Sequence, residues 1–205
     1  VKQLLKGQGT VAFGPISPIV KNYYASDLKP LSYDTDGAKK LFSESGYDMS
    51  RPITLLVPTG NVIREQSADI ILENLKAAGF SITAQKLDFP TLMSRLNKKD
   101  YDLALVGWSD TFDPDVSSQF ASGGQYNQMA YSNAEVDTLL KEGLTKTTSE
   151  ERQPIYHRIQ EIFLEDPPVA FLYFPDTLGA VNQRVINAQP TPGQTPDFSW
   201  TWDVK

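Results

Sequence analysis

The chain contains no cysteine and only one histidine among its 205 residues. Without thiols it can form neither a disulfide nor a thiolate metal site, and one imidazole is too few for a zinc site or the usual histidine-based triads. The single His157 falls in a helical pattern whose buried stripe is Ile155, Ile159 and Ile162, so it is interpreted as a packing or surface residue. We therefore expect no metal site and no cofactor.

The chain also lacks a basic stripe and a long apolar run. Its formal net charge is -6 and its pI is near 4.8, which argues against nucleic acid as a partner because phosphates would find no excess of cations. No apolar segment approaches the ~20 residues that a membrane-spanning helix requires. With 40% hydrophobic and 21% charged residues, the composition is that of an ordinary globular protein.

What the sequence does contain is an alternation of strand and helix patterns. Strands are predicted at 53–57, 80–84, 102–106 and 169–173. Helices are predicted at 34–46, 64–78, 91–98, 133–144 and 149–165. Such alternation is typical of an α/β domain with a largely parallel sheet flanked by helices. We expect residues 1–33 to form an extended arm on an α/β lobe of residues 34–189, with residues 190–205 as an irregular tail. Ser149 is predicted to cap the last helix, without a complete capping box.

Residues 101–115 are the candidate ligand-binding segment. The apolar run at 103–106 is typical of a strand covered on both faces, and Gly107 lets the backbone bend or approach another group closely. Trp108 then offers an aromatic platform and Asp110 a carboxylate, in the type of loop that binds ligands at the carboxyl ends of strands in α/β sheets. The alternative is a plain surface turn, because Asp and Pro are common turn residues.

Three other positions are weaker candidates for ligand contact. Arg64 begins a predicted helix and could meet a ligand carboxylate, or it could be a solvated first-turn residue. Asn127, in a glycine-rich loop, could line the same cleft, or it could simply belong to that loop. The turn at Thr59-Gly60-Asn61 lies between a strand and a helix, so its amides could meet an anion, although a helix cap explains it as well.

The acidic group Asp110, Asp113 and Asp115 leaves two further functions open. A hydrolase built on two carboxylates needs them a set distance apart across a substrate, which the sequence does not specify. A calcium loop of the EF-hand type needs alternating acidic positions with a glycine and a distant glutamate, and the spacing here does not match. Binding is therefore the interpretation that these residues favour.

Several segments resemble family 5 of the extracellular solute-binding proteins, the dipeptide- and oligopeptide-binding receptors of bacterial ABC importers. The similar segments, in chain order, are 5–10, 57–66, 87–102, 131–140 and 165–173, together with the Gly-Trp pair. The resemblance implies a type II periplasmic-binding-protein-like lobe, and an aspartate near the Gly-Trp pair that holds the α-ammonium group of a peptide. That aspartate stands four residues before a proline, which selects Asp110 before Pro114. The interval from Trp108 to Asp110 is one residue shorter than in peptide-binding members.

The resemblance also implies a cellular role. The chain would be the C-terminal lobe of a substrate-binding component, without its N-terminal lobe, and it would capture a small peptide for a membrane-embedded ABC permease. It would be an extracytoplasmic monomer, periplasmic or lipid-anchored on the outer face of the membrane, and not an enzyme. Backbone groups of Ser109 could pair with the peptide as an added strand does. The alternative ligands on the same scaffold are a nickel chelate, haem, an oligosaccharide or an opine.

Overall fold

In a computed structural model, which describes residues 2–109, 112–188 and 201–205, the chain folds as an α/β protein. The strands are β1 (Gly9–Val11), β2 (Ile53–Pro58), β3 (Ile82–Leu87), β4 (Leu103–Ala104), β5 (Tyr173–Pro175), β6 (Val185–Ile186) and β7 (Asp203–Val204). The helices are α1 (Thr35–Ser45), α2 (Val62–Ala77), α3 (Phe89–Asn97), α4 (Ser117–Phe120), α5 (Ala134–Thr145) and α6 (Ser149–Glu165). Among these residues, no helix has both the length and the apolar character needed to cross a bilayer.

A three-stranded parallel sheet with the order β3-β2-β4 lies at the centre of the fold. In its register, Leu55 of β2 is opposite Ala84 on one side and Leu103 on the other. Because successive side chains of a strand point to opposite faces, Leu55 and Val57 face one helical layer and Leu56 the other. These three side chains are almost completely buried. The expected parallel α/β architecture is therefore confirmed.

Both faces of the sheet are covered by helices. On one face, α2 and the partly buried Phe42 of α1 pack over a cluster that includes Leu55, Val57 and Phe80. On the other face, Leu92 and Leu96 of α3 close over Leu56. Asp34 caps α1 by accepting a hydrogen bond from the Gly37 amide at 2.8 Å.

A second core forms where α5 and α6 pack together with the residues that precede α1. It joins Val136 and Leu140 of α5 to Tyr156, Ile159 and Phe163 of α6 and to Ile16, Val20 and Tyr23. Gln160 is fully buried there. Its amide nitrogen donates to the Tyr23 carbonyl at 2.9 Å, and its carbonyl accepts from the Ala25 amide at 3.3 Å. A buried amide group is tolerated only when it is hydrogen-bonded, so Gln160 fixes the path of residues 23–25 over α6.

Three predicted strand boundaries are wrong. The strand predicted at 102–106 contains only Leu103 and Ala104, and Leu103 is 39% exposed because β4 forms an edge of the sheet. The strand predicted at 80–84 runs from Ile82 to Leu87. The strand predicted at 169–173 begins at Tyr173 and pairs antiparallel with β1, because Val169 and Phe171 pack against the second core instead.

The predicted cap of α6 is also wrong by one residue. Thr148 is the N-cap: its hydroxyl accepts a hydrogen bond from the Glu151 amide at 3.3 Å. The Glu151 carboxylate accepts a hydrogen bond from the Thr148 hydroxyl at 2.9 Å. This bond, followed by one from the Thr148 backbone, holds the pKa of Glu151 below its ordinary value. The complete capping box is therefore present, shifted by one position from Ser149.

Candidate ligand-binding site

The carboxyl ends of the three parallel strands meet at one edge of the sheet, which we call the carboxyl edge. There β2 leads into the turn 59–61 and the first turn of α2, β3 leads through Asp88 into α3, and β4 leads into the segment that begins at Gly107. Ligands of open α/β sheets bind outside the carboxyl ends of the strands. The edge therefore brings together Gly107, Trp108 and Arg64, which come from separate parts of the sequence.

Arg64 lies against Gly107. A Cβ atom added to Gly107 would overlap Nη2 of Arg64 and would lie 3.4 Å from its Cζ, so the guanidinium in this position lies directly over the glycine and would have to shift for a larger residue. Arg64 is partly buried, and within the described part of the chain it forms no ion pair with a carboxylate. A guanidinium with free donors at a strand end is suited to bind a carboxylate through two parallel hydrogen bonds.

Trp108 provides the aromatic surface beside this cation. It is 38% exposed, and its ring meets the buried Phe120 of α4 edge-to-face, with centroids 5.9 Å apart and an interplanar angle of 64°. Phe120 in turn contacts Phe163 and Phe171, so the indole is anchored on the second core while part of its surface faces solvent. Ser109 is exposed next to it. Asp110, the predicted ammonium ligand, lies outside the described residues.

Asp113 takes part in an ion pair rather than in the group of residues at the carboxyl edge. Both of its carboxylate oxygens accept hydrogen bonds from Arg152 of α6, at 2.8 and 2.9 Å. Arg152 also donates to the Gly143 carbonyl and stacks over the rings of Tyr23 and Tyr156. The guanidinium is the main reason that the pKa of Asp113 lies below its ordinary value. This pair ties the loop after Trp108 to the second core.

Because of the Asp113–Arg152 pair, we expect the protein to lose stability in acid. The folded-state pKa of Asp113 lies below its unfolded value, so its contribution is complete above about pH 4 and is lost as the pH falls through the folded-state pKa. We expect Asp113→Asn to lower the free energy of unfolding by roughly 1 kcal/mol at pH 7, because the carboxylate is partly exposed, and by less at about pH 3. Urea titrations at both pH values measure the difference. Asp36→Asn, at an exposed position on α1, is the control, and an equal cost of Asp113→Asn at both pH values would contradict the prediction.

Asp115 and Asn127 both form hydrogen bonds with nearby residues of their own loops. Asp115 accepts hydrogen bonds from the amide and the hydroxyl of Ser117 and so initiates α4. The amide nitrogen of Asn127 donates to the carbonyls of Ala121 and Tyr131, at 2.9 and 2.7 Å, and its oxygen accepts from the Tyr131 amide. Both donors of Asn127 are thus used within the loop. Within the described part of the chain, no three side chains of His, Asp or Glu are grouped as a metal site.

The turn before α2 already holds an internal carboxylate. The Gly60 amide donates to Oε1 of Glu65 at 3.1 Å, while Oε2 of the same side chain pairs with Lys86 of β3. Asn61 caps the helix by accepting from the Arg64 amide at 3.0 Å. The Gly60 amide, which the sequence suggested could meet an anion, is therefore already bonded to a carboxylate of the chain itself.

One further aromatic residue, not predicted from the sequence, lies at the carboxyl edge. Phe89 is the first residue of α3 and is 55% exposed, directly after β3. Since β3 and β4 flank β2 and adjacent strands lie about 4.8 Å apart, Phe89 and Trp108 follow strands separated by roughly 10 Å, on opposite sides of the Arg64 helix start. The residue that marks the true start of this helix is Asp88, which caps α3 by accepting a hydrogen bond from the Thr91 amide at 3.0 Å. Recognition of that cap would have started the helix at Phe89.

Comparison with known proteins identifies the family. Residues 1–129 match the family described as bacterial extracellular solute-binding proteins, family 5 Middle. The oligopeptide-binding protein AppA of Bacillus subtilis is 31% identical over 205 aligned residues, covering 90% of this chain and 37% of AppA. Di/tripeptide-binding protein 4 of Pseudomonas aeruginosa is 27% identical, covering 95% of this chain and 38% of the relative.

Comparison with solved structures points to the same family. The structure of Bacillus subtilis AppA in complex with a nonapeptide superimposes with a TM-score of 0.85 and 26% identity, covering all of this chain and 44% of that one. The chain thus spans less than half the length of these relatives. On the strength of the sequence match and the shared fold, the chain belongs to family 5 of the bacterial extracellular solute-binding proteins.

Proposed function

We propose that this chain is one lobe of the solute-binding component of an ABC importer, and that the solute is a short peptide with a free amino terminus. The observation that carries the proposal is the approach of Arg64 to Gly107 beside the exposed face of Trp108, at the carboxyl edge of the sheet. The names of the relatives support the ligand class, since they bind oligopeptides, or dipeptides and tripeptides. These relatives are binding proteins and not enzymes.

Each group at the edge has a role suited to a peptide. The Asp110 carboxylate binds the α-ammonium group, because a buried ammonium must be both paired and hydrogen-bonded. Arg64 binds a carboxylate of the ligand. Trp108 and Phe89 form apolar walls, with a cation–π contribution of about 0.5–2 kcal/mol where a cation lies over the indole. Backbone groups of Ser109 pair with the peptide main chain, which contributes affinity without selecting side chains.

The rest of the longer protein supplies the second half of the cleft in this proposal. Two lobes that close on a ligand bury it from both sides, and one lobe alone leaves it half exposed. The isolated chain is then a monomer with little affinity, whereas the native protein, meaning the full polypeptide to which this chain belongs, binds tightly. It acts outside the cytoplasm, either free or lipid-anchored, and delivers its solute to a permease.

Calorimetry on the native protein tests this function directly. A tripeptide with a free amino terminus is titrated against its N-acetylated twin, and this 205-residue chain is titrated in parallel. We expect binding of the free form only, and no saturable heat with the isolated chain. Equal binding of both peptides, or of neither, would assign the site to another ligand class. Micromolar binding to the isolated chain would contradict the half-cleft proposal.

A further inference from the structure

Ser67 of α2 carries a buried hydroxyl close to the carboxyl edge. The residue is 3% exposed, and its Oγ lies 2.7 Å from the Ile63 carbonyl oxygen and 2.9 Å from the hydroxyl oxygen of Tyr173. A buried polar group is tolerated when it is hydrogen-bonded, and both separations are hydrogen-bond distances. Ser67 therefore joins the first turn of α2 to the first residue of β5.

The number of protons fixes the direction of these two hydrogen bonds. A carbonyl oxygen only accepts, so Ser67 donates its one hydroxyl proton to the Ile63 carbonyl. The Ser67 oxygen is then an acceptor for its other partner, and Tyr173 is the donor. The three groups form a directed series from the Tyr173 hydroxyl through the Ser67 hydroxyl to the Ile63 carbonyl, which we call the hydroxyl chain.

The hydroxyl chain ends one residue before Arg64. The first turn of an α-helix is weakly held by the helix itself, because its first four amides have no partner within the helix. Val62, the first residue of α2, is 67% exposed and gives this turn little apolar cover. Tyr173, in contrast, belongs to β5 and is paired with Val11 of β1. The hydroxyl chain thus fixes the helix start relative to β5, and with it the backbone from which Arg64 reaches over Gly107.

We infer that Ser67 and Tyr173 are positioning residues for the solute, because their hydroxyl chain holds the first turn of α2 where the Arg64 guanidinium meets the carboxylate of the ligand. The inference rests on the proposed function, in which Arg64 binds that carboxylate. Both residues act through Arg64 and need no contact with the ligand. Since a guanidinium–carboxylate pair with two parallel hydrogen bonds depends on geometry, a shift of the helix start weakens it more than it weakens other contacts of the peptide.

Calorimetry of the native protein with two trialanine peptides tests this inference. Both peptides have a free amino terminus, but one ends in a carboxylate and the other in a carboxamide. We expect Tyr173→Phe, which removes only the hydroxyl, to raise the Kd of the carboxylate peptide about fivefold and to leave that of the carboxamide within twofold. Ser67→Ala should have the same selective effect. In an Arg64→Ala background, Tyr173→Phe should change neither Kd by more than twofold, because residues that act through one another are not additive.

Tyr23→Phe is the matched control. The Tyr23 hydroxyl also donates to a serine, Ser149, at 3.2 Å, but it does so at the second core, so this variant should leave both Kd values within twofold of the unsubstituted protein. Equal weakening of the two peptides by Tyr173→Phe, or no change in either, would overturn the inference and leave the peptide-binding function standing. Equal affinity of the unsubstituted protein for the two peptides would do the same, because Arg64 would then bind no ligand carboxylate. If the unsubstituted protein bound neither peptide, the proposed function would fail and this inference with it.

Discussion

Replacing Asp110 by asparagine in the native protein is expected to raise the Kd for a free-amine tripeptide by roughly 30-fold or more. The substitution keeps the shape of the side chain but removes its charge, so the ligand ammonium is left buried without a counter-ion. Truncating one partner of a buried, hydrogen-bonded charge pair costs about 2–5 kcal/mol, and 1.4 kcal/mol corresponds to a tenfold change in Kd. Isothermal titration calorimetry of both proteins at pH 7 measures the change.

The matched control removes a negative charge elsewhere. Asp36→Asn, on the exposed side of α1, changes the net charge by the same amount and should leave the Kd within twofold of the unsubstituted protein. A similar Kd for the Asp110 and Asp36 variants would remove Asp110 from the site. If the Asp110 variant also fails to distinguish the free peptide from the acetylated one, the assignment of this carboxylate to the ammonium is supported.

Truncating Phe120 to alanine is expected to lower the free energy of unfolding by about 3–5 kcal/mol. The side chain is 1% exposed and contacts the rings of Trp108, Phe163 and Phe171, with centroids 5.0–5.9 Å away. Removing such a ring costs both its transfer free energy and the cavity that remains. The loss would reach the site as well, since the edge contact that anchors Trp108 would disappear. Urea unfolding followed by far-UV circular dichroism measures the stability.

Two further variants serve as controls for this prediction. Phe112→Ala removes the same type of side chain from the loop before α4, at a position that is 64% exposed, and should change the stability by less than about 0.5 kcal/mol. Phe120→Leu retains most of the volume and should cost less than about 1.5 kcal/mol, so it stays measurable even if the alanine variant does not fold. Equal effects of the alanine substitutions at 112 and 120 would contradict the placement of Phe120 in the core.

The elements that the sequence predicts well are those whose apolar pattern is decided locally. The helices α5 and α6 have apolar residues at helical spacing, and β2 is apolar except for Thr54, so all three are predicted within a few residues of their bounds. The strand β5 was misplaced because its pairing partner β1 lies more than 160 residues away, and only that pairing decides which of residues 169–175 become a strand. Long-range pairing is not encoded in a local pattern.

For the candidate site too, only features formed by neighbouring residues could be predicted from the sequence. Gly107 and Trp108 can be proposed from the sequence because a strand, a glycine and an aromatic residue follow one another. The contact of Arg64 with Gly107 joins residues 43 positions apart, and the Asp113–Arg152 pair spans 39, so neither follows from spacing. Asn127 illustrates the converse, since a polar loop residue looks like a ligand group until its three hydrogen bonds within the loop are known.

The internal carboxylate before α2 bears on which solutes the carboxyl edge rejects. Glu65 accepts from the Gly60 amide and pairs with Lys86, so both groups are already bonded within the chain at a helix start that would otherwise attract phosphate or sulfate. In the proposed function, Arg64 then binds the carboxylate of the solute. In the proposed receptor, inorganic anions would thus find this helix start already occupied, and the occupancy of the edge would depend less on the salt content of the surroundings.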